Sequence, residues 1–271
     1  MRSLKNLILF FLCLAMHSKA QTGSSILMDK GIASFNKGDY DSAKVNFIQC
    51  IRLAKEENNN KILSNAYNNL ANCYANTGNS PEALKHYQLS ITIAEKSGDT
   101  IRMAKTLKNI GTVYSEQKDF KTAMQFYERA QLMARKTKDS SIIADCYNNQ
   151  GVVLEQQHDY SKAAEIYARA LIIYQSEGND DRVSMSLNNL GIVYKYLGNY
   201  ALSIANYEEA LTLAKKSGDK FMMAASINNL GGVYALTGDH RKALTLFKQA
   251  LDTAVKIGAT EIIIENYDGI A

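Results

Sequence analysis

A phrase of thirteen residues returns every forty residues along this chain, and this repeat limits the possible folds more than any other feature. One copy, NNLGIVYKYLGNY, spans Asn188–Tyr200, and the next, NNLGGVYALTGDH, spans Asn228–His240. Earlier copies begin at Met28, Asn68, Lys108 and Asn148. Self-similarity at a fixed period of about 20–50 residues indicates a repeat architecture, in which each unit packs only against its neighbours. We therefore predict one continuous array of repeats.

The spacing of apolar residues within a repeat predicts two helices. Between residues 181 and 219, apolar residues fall at helical spacing in two groups, which are Leu187, Leu190 and Tyr194, then Ile204, Tyr207 and Leu211. Gly198-Asn199 separates the groups, and such a pair readily supplies the left-handed residue that ends a helix. The chain has a single proline, Pro81, which is compatible with helix almost throughout. Each repeat is predicted to be a helix, a tight turn, a second helix and another turn.

Small residues at fixed positions predict close packing of the two helices. Glycine occupies one position of the first helix in five repeats, at Gly31, Gly111, Gly151, Gly191 and Gly231. The second helix carries a small residue at Ala43, Ala83, Ala123, Ala163, Ser203 and Ala243, and an aromatic four residues later at Phe47, Tyr87, Tyr127, Tyr167, Tyr207 and Phe247. A glycine inside a helix costs about 1 kcal/mol relative to alanine. Its recurrence therefore indicates that the aromatic ring lies against it.

The combination of these positions resembles the tetratricopeptide repeat family. In the fifth repeat the matching residues are Leu187, Leu190, Gly191, Tyr194, Ser203, Tyr207 and Ala210, and the resemblance runs from about Ser24 to Ala271. The usual repeat has about 34 residues, whereas the longer period here is similar to that of the kinesin light chain type. The resemblance implies an all-α fold, a right-handed α-solenoid of antiparallel helix pairs, with six repeats at about 25–260 and a truncated seventh at 261–271. Gln150 occupies a leucine position, so we expect the fourth repeat to pack less well.

Residues 1–20 have the three parts of a secretory signal. Two basic residues give a positive start, an apolar run follows over 7–16, and the triplet SKA at 18–20 offers small residues at the cleavage positions. The apolar run is shorter than the roughly 20 residues that a membrane-spanning helix needs. We predict a signal peptide over this segment, a mature array at 21–271, and export to the bacterial periplasm or cell envelope. A short membrane anchor is the alternative.

The charge balance argues against nucleic acid as a partner of this region. Removing residues 1–20 takes away three basic residues and no acidic one, which leaves 28 basic against 27 acidic residues. A nucleic-acid-binding protein is expected to carry an excess of basic residues in a patch or stripe, and this nearly neutral region has no such excess. No histidines or cysteines have metal-ligand spacing, and Cys50, Cys73 and Cys146 replace small or apolar residues of other repeats. Since no nucleophile is placed beside a base, we expect no catalysis, no metal and no cofactor.

Asparagine pairs in the first helices are the candidate functional residues. Asparagine is a mediocre helix former, yet one recurs mid-helix at Asn69, Asn109, Asn149, Asn189 and Asn229, preceded by Asn68, Lys108, Asn148, Asn188 and Asn228 respectively. The resemblance implies that first helices line a concave groove, where such amides bind the backbone of an extended peptide. A carboxamide offers both a donor and an acceptor for this purpose. Specificity is expected from neighbouring residues, such as Lys105, Lys108, Glu155, Lys195 and Tyr196. The alternative is that the amides tie successive repeats together.

The resemblance implies a non-catalytic protein–protein interaction scaffold, with an extended peptide or a partner protein as the ligand. A second hypothesis is the periplasmic sensor portion of a bacterial signalling protein. In such proteins a membrane helix and a histidine kinase or helix-turn-helix output domain, which transmit the signal, follow the array. The chain ends at Ala271, within the first helix of another repeat, which favours continuation of the natural protein. Membrane contact is expected only through the signal segment or such a later helix.

Overall fold

The computed structural model describes residues 22–270, so the predicted signal segment, 1–20, lies outside the described residues. Within the described range thirteen α-helices follow one another and no strand occurs: α1 (Gly23–Asn36), α2 (Tyr40–Glu56), α3 (Asn60–Asn76), α4 (Ser80–Ser97), α5 (Thr100–Glu116), α6 (Phe120–Thr137), α7 (Ser140–Gln156), α8 (Tyr160–Ser176), α9 (Asp180–Tyr196), α10 (Tyr200–Ser217), α11 (Lys220–Leu236), α12 (His240–Ile257) and α13 (Thr260–Ile270). The predicted all-α class is confirmed. None of these thirteen helices is long and apolar enough to cross a membrane.

The chain divides into two compact units, with the boundary between Thr106 and Leu107, inside α5. The first unit contains α1–α4 and the start of α5, and the second contains the end of α5 and α6–α13. Odd-numbered helices are the first helices of the repeats, and even-numbered helices are the second helices. Helices pack against their neighbours in the chain and against the helix two places further on, as α9 does against α11. This is the neighbour-to-neighbour packing expected of a repeat array.

Short turns between the helices use the same two devices repeatedly. The first is a residue with positive φ, such as Gly198 at 75°, a conformation that glycine adopts without steric cost. The second is an Asp or Asn N-cap, which satisfies a backbone donor that the helix leaves unpaired. The Asn199 side chain accepts a hydrogen bond from the Leu202 N–H at 3.3 Å. The same cap starts the other helices from α2 to α12, at Asp39, Asn59, Asn79, Asp99, Asp119, Asp139, Asp159, Asn179, Asp219 and Asp239. The predicted turn at Gly198-Asn199 is confirmed.

In five repeats the glycine of the first helix lies against the aromatic ring of the second helix, as predicted. A Cβ atom placed on Gly191 would lie 2.5 Å from Cε1 of Tyr207, far inside van der Waals contact, and Tyr207 is fully buried. Ser203, at the small-residue position, donates to the Gly191 carbonyl oxygen at 2.8 Å. Equivalent ring contacts join Gly31 to Phe47, Gly111 to Tyr127, Gly151 to Tyr167, and Gly231 to Phe247. The close approach of the two helices therefore depends on having no side chain at the glycine position.

The three cysteines of the array are buried free thiols. Cys50 and Cys73 belong to the core of the first unit, together with Phe47 and Leu70, and Cys146 is fully buried in the second unit. Burial raises the pKa of Cys146 to about 12, so this thiol is uncharged at physiological pH and is a poor nucleophile. The role of these cysteines is packing, as the sequence indicated.

Two buried glutamines replace apolar residues in neighbouring repeats. Gln150 on α7, at a leucine position, accepts a hydrogen bond on Oε1 from Nε2 of Gln131 on α6 at 3.3 Å. Gln131 takes a position that is leucine or isoleucine in other repeats, as at Ile51, Ile91, Leu171, Leu211 and Leu251. Both glutamines are buried. The departure from the apolar pattern at Gln150 is therefore matched by a second departure one helix earlier.

Replacing both glutamines with leucine should stabilise the protein, whereas replacing Gln150 alone should not. Gln150→Leu leaves the Gln131 amide buried without its partner, and such an orphaned group costs about 1–3 kcal/mol, which offsets the added apolar contact. The double variant removes both polar groups, and we expect it to gain about 1 kcal/mol over the wild type. Urea denaturation of the wild type, both single variants and the double variant measures the coupling between the two positions. Additive effects would contradict the pairing.

Candidate functional site on the first helices

Asparagines of successive first helices are joined in pairs by amide hydrogen bonds in the second unit. Asn189 on α9 donates from Nδ2 to Oδ1 of Asn148 on α7 at 3.1 Å. Asn229 on α11 donates in the same way to Oδ1 of Asn188 on α9 at 3.0 Å. The tie between repeats, which the sequence allows as an alternative to ligand binding, is therefore present in the structure.

The first asparagine of each pair is buried between first helices. Asn148, Asn188 and Asn228 are 7%, 8% and 7% exposed. The first two accept from the following repeat, and Asn228 donates to Oε2 of Glu265 on α13 at 2.9 Å. These three amides therefore contact the next repeat. Their contact with a ligand stays a prediction.

The second asparagine of each pair is half-buried and keeps an unused acceptor. Nδ2 of Asn149 donates to Oγ1 of Thr112 at 3.3 Å, and Nδ2 of Asn189 and of Asn229 donates to the preceding repeat. Among the described residues, none donates a hydrogen bond to Oδ1 of these three side chains, and these oxygens are not buried. Because the three asparagines share one position on α7, α9 and α11, they offer a row of acceptors to the N–H groups of a bound chain.

The corresponding pair in the first unit is Asn68 and Asn69 on α3. Asn68 is buried, accepts from Oγ1 of Thr106 at 3.2 Å and donates to Oδ1 of Asn69 at 3.3 Å. Asn69 donates to the sulfur of Met28 on α1 at 3.4 Å. Asn109 on α5, which is half-buried, belongs to the second unit, and its contact with a ligand stays a prediction. In the first unit the amides therefore link α3 to its neighbours through different partners, and their contact with a ligand stays a prediction.

Two pockets open at equivalent positions of the array, one in each unit. The first-unit pocket has a volume of about 240 Å³ and is lined by Ile32, Phe35, Asn36, Phe47, Asn69 and Asn72. The second-unit pocket has a volume of about 180 Å³, and its lining includes Thr112, Glu116, Tyr127, Asn149, Val152 and Gln156. Each pocket places a half-buried asparagine of the first helix beside the aromatic ring that packs on the glycine. A chain bound along the asparagines would therefore present its side chains to these openings.

Lys108, the lysine predicted together with the asparagines, forms a salt bridge. Its Nζ lies 2.6 Å from Oδ2 of Asp145, and Oδ1 of Asp145 lies 3.1 Å from Nη1 of Arg182 and accepts from the Tyr174 hydroxyl at 2.8 Å. Burial alone would raise the pKa of Asp145, but the two cations and the hydroxyl outweigh burial and the pKa is lowered. Sequence reasoning missed the three partners. The signal that could have found Asp145 is its separation of 37 residues from Lys108, which recurs in other contacts between first helices.

The other residues expected to give specificity in the second unit lie on the same helices. Glu155 on α7 accepts from the Tyr167 hydroxyl at 2.9 Å, and burial raises the pKa of this carboxyl. Burial also lowers the pKa of Lys195 on α9. Tyr196 is 57% exposed and stacks on Tyr160 with ring centroids 4.6 Å apart. The first helices thus carry half-buried charges of both signs beside an exposed aromatic ring.

The sequence profile of the tetratricopeptide repeat matches five overlapping segments, at residues 24–96, 62–136, 102–176, 142–216 and 182–254. The chain belongs to the tetratricopeptide repeat (TPR) family. The resemblance predicted from the recurring residues is therefore confirmed, and kinesin light chain-like TPR proteins are among the structural neighbours. TPR arrays typically serve as scaffolds for protein–protein interaction, because their stacked repeats present an extended binding surface.

Solved TPR structures share this fold at low sequence identity. BtubC (BKLC) from P. vanneervenii is 20% identical, with a TM-score of 0.67, over 88% of this chain and 93% of that one. A signal transduction ATPase with numerous domains and a TPR sensor, from Pyrococcus horikoshii, is 16% identical, with a TM-score of 0.74, over 92% of this chain and 37% of that one. A Rap protein complexed with Competence and Sporulation Factor is 14% identical, with a TM-score of 0.69, over 91% of this chain and 73% of that one. No curated protein matches the chain in sequence.

Buried titratable side chains in this TPR array serve as hydrogen-bonding and packing groups. Burial raises the pKa of the Tyr127 hydroxyl to about 12, so this group donates a hydrogen bond at neutral pH. Among residues 22–270, no three His, Cys, Asp or Glu side chains lie together in a way that could hold a metal ion. TPR proteins are generally non-catalytic scaffolds.

Proposed function

We propose that this protein is a non-catalytic scaffold that binds an extended peptide, or an extended segment of a partner protein, along its first helices. The observation that carries the proposal is the row of accessible Oδ1 atoms of Asn149, Asn189 and Asn229. Each amide is fixed by its own Nδ2 hydrogen bond, so little side-chain freedom is lost when Oδ1 accepts from a ligand.

The spacing of the row suits an extended chain. Packed helices lie about 8–10 Å apart, and an extended chain rises about 3.3 Å per residue. One amide of the row would therefore meet the ligand at about every third residue. Binding of this kind holds the main chain without reading its sequence, so side-chain preference has to come from the pockets and charges beside the row.

A solved relative of the same fold supports ligand binding by such an array, since a Rap protein has been crystallised with Competence and Sporulation Factor. Export to the periplasm or cell envelope, through the signal segment predicted at 1–20, is part of the proposal. The sensor portion of a larger signalling protein stays a hypothesis from the sequence.

Alanine at both Asn149 and Asn189 should weaken peptide binding strongly while the helices remain. The probe is a peptide selected from a random-peptide phage library on the immobilised full chain, then labelled and titrated by fluorescence anisotropy. We expect affinity to fall by about tenfold or more, because two hydrogen bonds to the peptide backbone of about 1 kcal/mol each are lost. The two internal ties are lost as well, so the free energy of unfolding should fall by about 2 kcal/mol.

Asn46→Ala/Asn206→Ala is the matched control. These asparagines lie on second helices and donate to carbonyl oxygens of their own helix, those of Ser42 and Leu202. The control should bind the peptide like the wild type, and far-UV circular dichroism should show equal helix content in all three proteins. The proposal is wrong if Asn149→Ala/Asn189→Ala binds as tightly as the control, or if the library yields no binder.

A further inference from the structure

The second-unit pocket carries an acidic side chain at a position that is uncharged in every other repeat. Glu116 lines this pocket at the end of α5. Its counterparts are Asn36, Asn76, Gln156, Tyr196 and Leu236. Since five repeats stack with an uncharged residue at this position, packing of the array does not require the carboxylate.

The Glu116 carboxylate lacks a cationic partner. None of the salt bridges between residues 22 and 270 involves it, and Lys108 on the same helix is already paired with Asp145. Partial burial raises the pKa of Glu116, and no neighbouring charge opposes that shift. The Glu116 side chain is exposed to solvent at the mouth of the pocket, so it is free to pair with a cation that the pocket receives.

Three of the hydrogen-bond donors around the same opening are already used. The Tyr127 hydroxyl donates to Oγ1 of Thr112 at 3.4 Å, and Nδ2 of Asn149 donates to the same oxygen at 3.3 Å. Thr112 in turn donates to the carbonyl oxygen of Lys108 at 3.3 Å. The Glu116 carboxylate and Oδ1 of Asn149 remain as acceptors, beside the amide of Gln156, which can donate or accept. The pocket therefore favours a guest that is positively charged and carries several donors.

The size and walls of the pocket fit one side chain. Its volume of about 180 Å³ is below the roughly 300 Å³ at which small-molecule sites begin. Val152 and the ring of Tyr127 are apolar walls, which can cover the methylene stem of a lysine or an arginine. Asn149, which also lines the pocket, belongs to the row proposed to hold the main chain, so a side chain next to that contact can enter.

We propose that the second-unit pocket is a specificity pocket that receives a lysine or arginine side chain of the bound peptide, with Glu116 as the counter-charge. The inference rests on the proposed function, because a chain bound along Asn149 has to present the basic side chain. Ligands of this protein should therefore carry a basic residue at one fixed position.

Selection of a random-peptide phage library in parallel on the wild-type chain and on Glu116→Gln tests the pocket. The wild type should enrich peptides with lysine or arginine at one position, and Glu116→Gln should lose that enrichment. A selected lysine peptide and its norleucine analogue, which keeps the stem without the charge, are then titrated against both proteins. The lysine peptide should bind the wild type about tenfold more tightly than Glu116→Gln, whereas the norleucine peptide should bind both alike.

Glu128→Gln is the matched control, because Glu128 is likewise exposed but lies on the second helix α6 and does not line the pocket. This variant should select and bind peptides like the wild type. Selected peptides that depend on Asn149 and Asn189 but show no basic enrichment would overturn this inference and leave the proposed function standing. Equal affinity of the lysine peptide for the wild type and Glu116→Gln would do the same. A library that yields no binder would overturn both.

Discussion

Alanine in place of Gly231 should destabilise the protein by about 2 kcal/mol, whereas alanine in place of the adjacent Gly232 should stabilise it by about 0.5–1 kcal/mol. A Cβ on Gly231 would lie 2.8 Å from Cε1 of Phe247. The ring has little room to move, since a Cβ on Gly269 of α13 would lie 2.6 Å from its Cζ. Apart from the neighbouring backbone of α11, no atom of residues 22–270 lies within 4 Å of a Cβ on Gly232, so alanine there improves helix propensity without a clash.

The two variants control for each other, because both change glycine to alanine in the middle of α11. Urea denaturation followed by far-UV circular dichroism gives the free energy of unfolding of each. Helix propensity alone would stabilise both variants equally, so the opposite signs isolate the packing of Phe247 on Gly231. Stabilisation by Gly231→Ala would contradict that packing. Gly191→Ala should follow Gly231→Ala, since its Cβ would lie 2.5 Å from Cε1 of Tyr207.

Contacts inside one repeat could be predicted because the two contacting residues recur in several repeats at the same separation. Gly191 and Tyr207 belong to the same helix pair, and their counterparts recur in four other repeats. The turns were less uniform than the glycines suggested, because Asn58, Lys118, Lys138 and His158 also adopt positive φ. The Asp or Asn cap that follows each of these residues is therefore a better marker of the turn than glycine.

Contacts between repeats could not be predicted in the same way, because they depend on how far one first helix is shifted along the next. The shift gives two separations, 37 residues between Lys108 and Asp145 and 41 residues between Asn189 and Asn148. These differ by about one helical turn, and the period of forty residues gives neither value by itself. The salt bridge of Lys108 was missed for this reason.

The asparagine row shows why a recurring polar residue does not define its own role. An amide has a donor end and an acceptor end, and in Asn189 and Asn229 the donor end ties two repeats while the acceptor end stays accessible. Both roles require the same residue type at the same position. The sequence could therefore locate the row. Which atom of each amide bonds the neighbouring repeat, and which stays accessible, depends on the position of the neighbouring helix.

Alanine in place of Asp145 should lower the free energy of unfolding by about 2–4 kcal/mol. Removing one partner of a buried ion pair costs about 3–5 kcal/mol, and the expected loss is smaller here because Arg182 is 45% exposed. The change leaves the Lys108 ammonium, on a side chain that is 21% exposed, and the hydroxyl of the fully buried Tyr174 without their acceptor.

Asp180→Ala is the matched control for Asp145→Ala. Asp180 and Lys216 also approach to 2.6 Å, but their side chains are 40% and 72% exposed. An exposed pair of this kind contributes about 0–1 kcal/mol, so the control should lose less than about 1 kcal/mol in the same urea denaturation. Equal losses from the two variants would mean that burial and the extra partners of Asp145 add nothing.

The stabilisation by Asp145 should also disappear in acid. Its pKa is lowered in the folded protein, so folding favours the ionised carboxylate, and the advantage over Asp145→Ala is complete above the unfolded pKa of about 3.9. As the pH falls through the lowered pKa of the folded state, the carboxyl is protonated in both states and the advantage is lost. Urea denaturation of both proteins should show a constant difference from neutral pH to about pH 5 and a shrinking one below about pH 4. A difference that persisted undiminished in strong acid would show that Asp145 stabilises the fold through its shape and not through its charge.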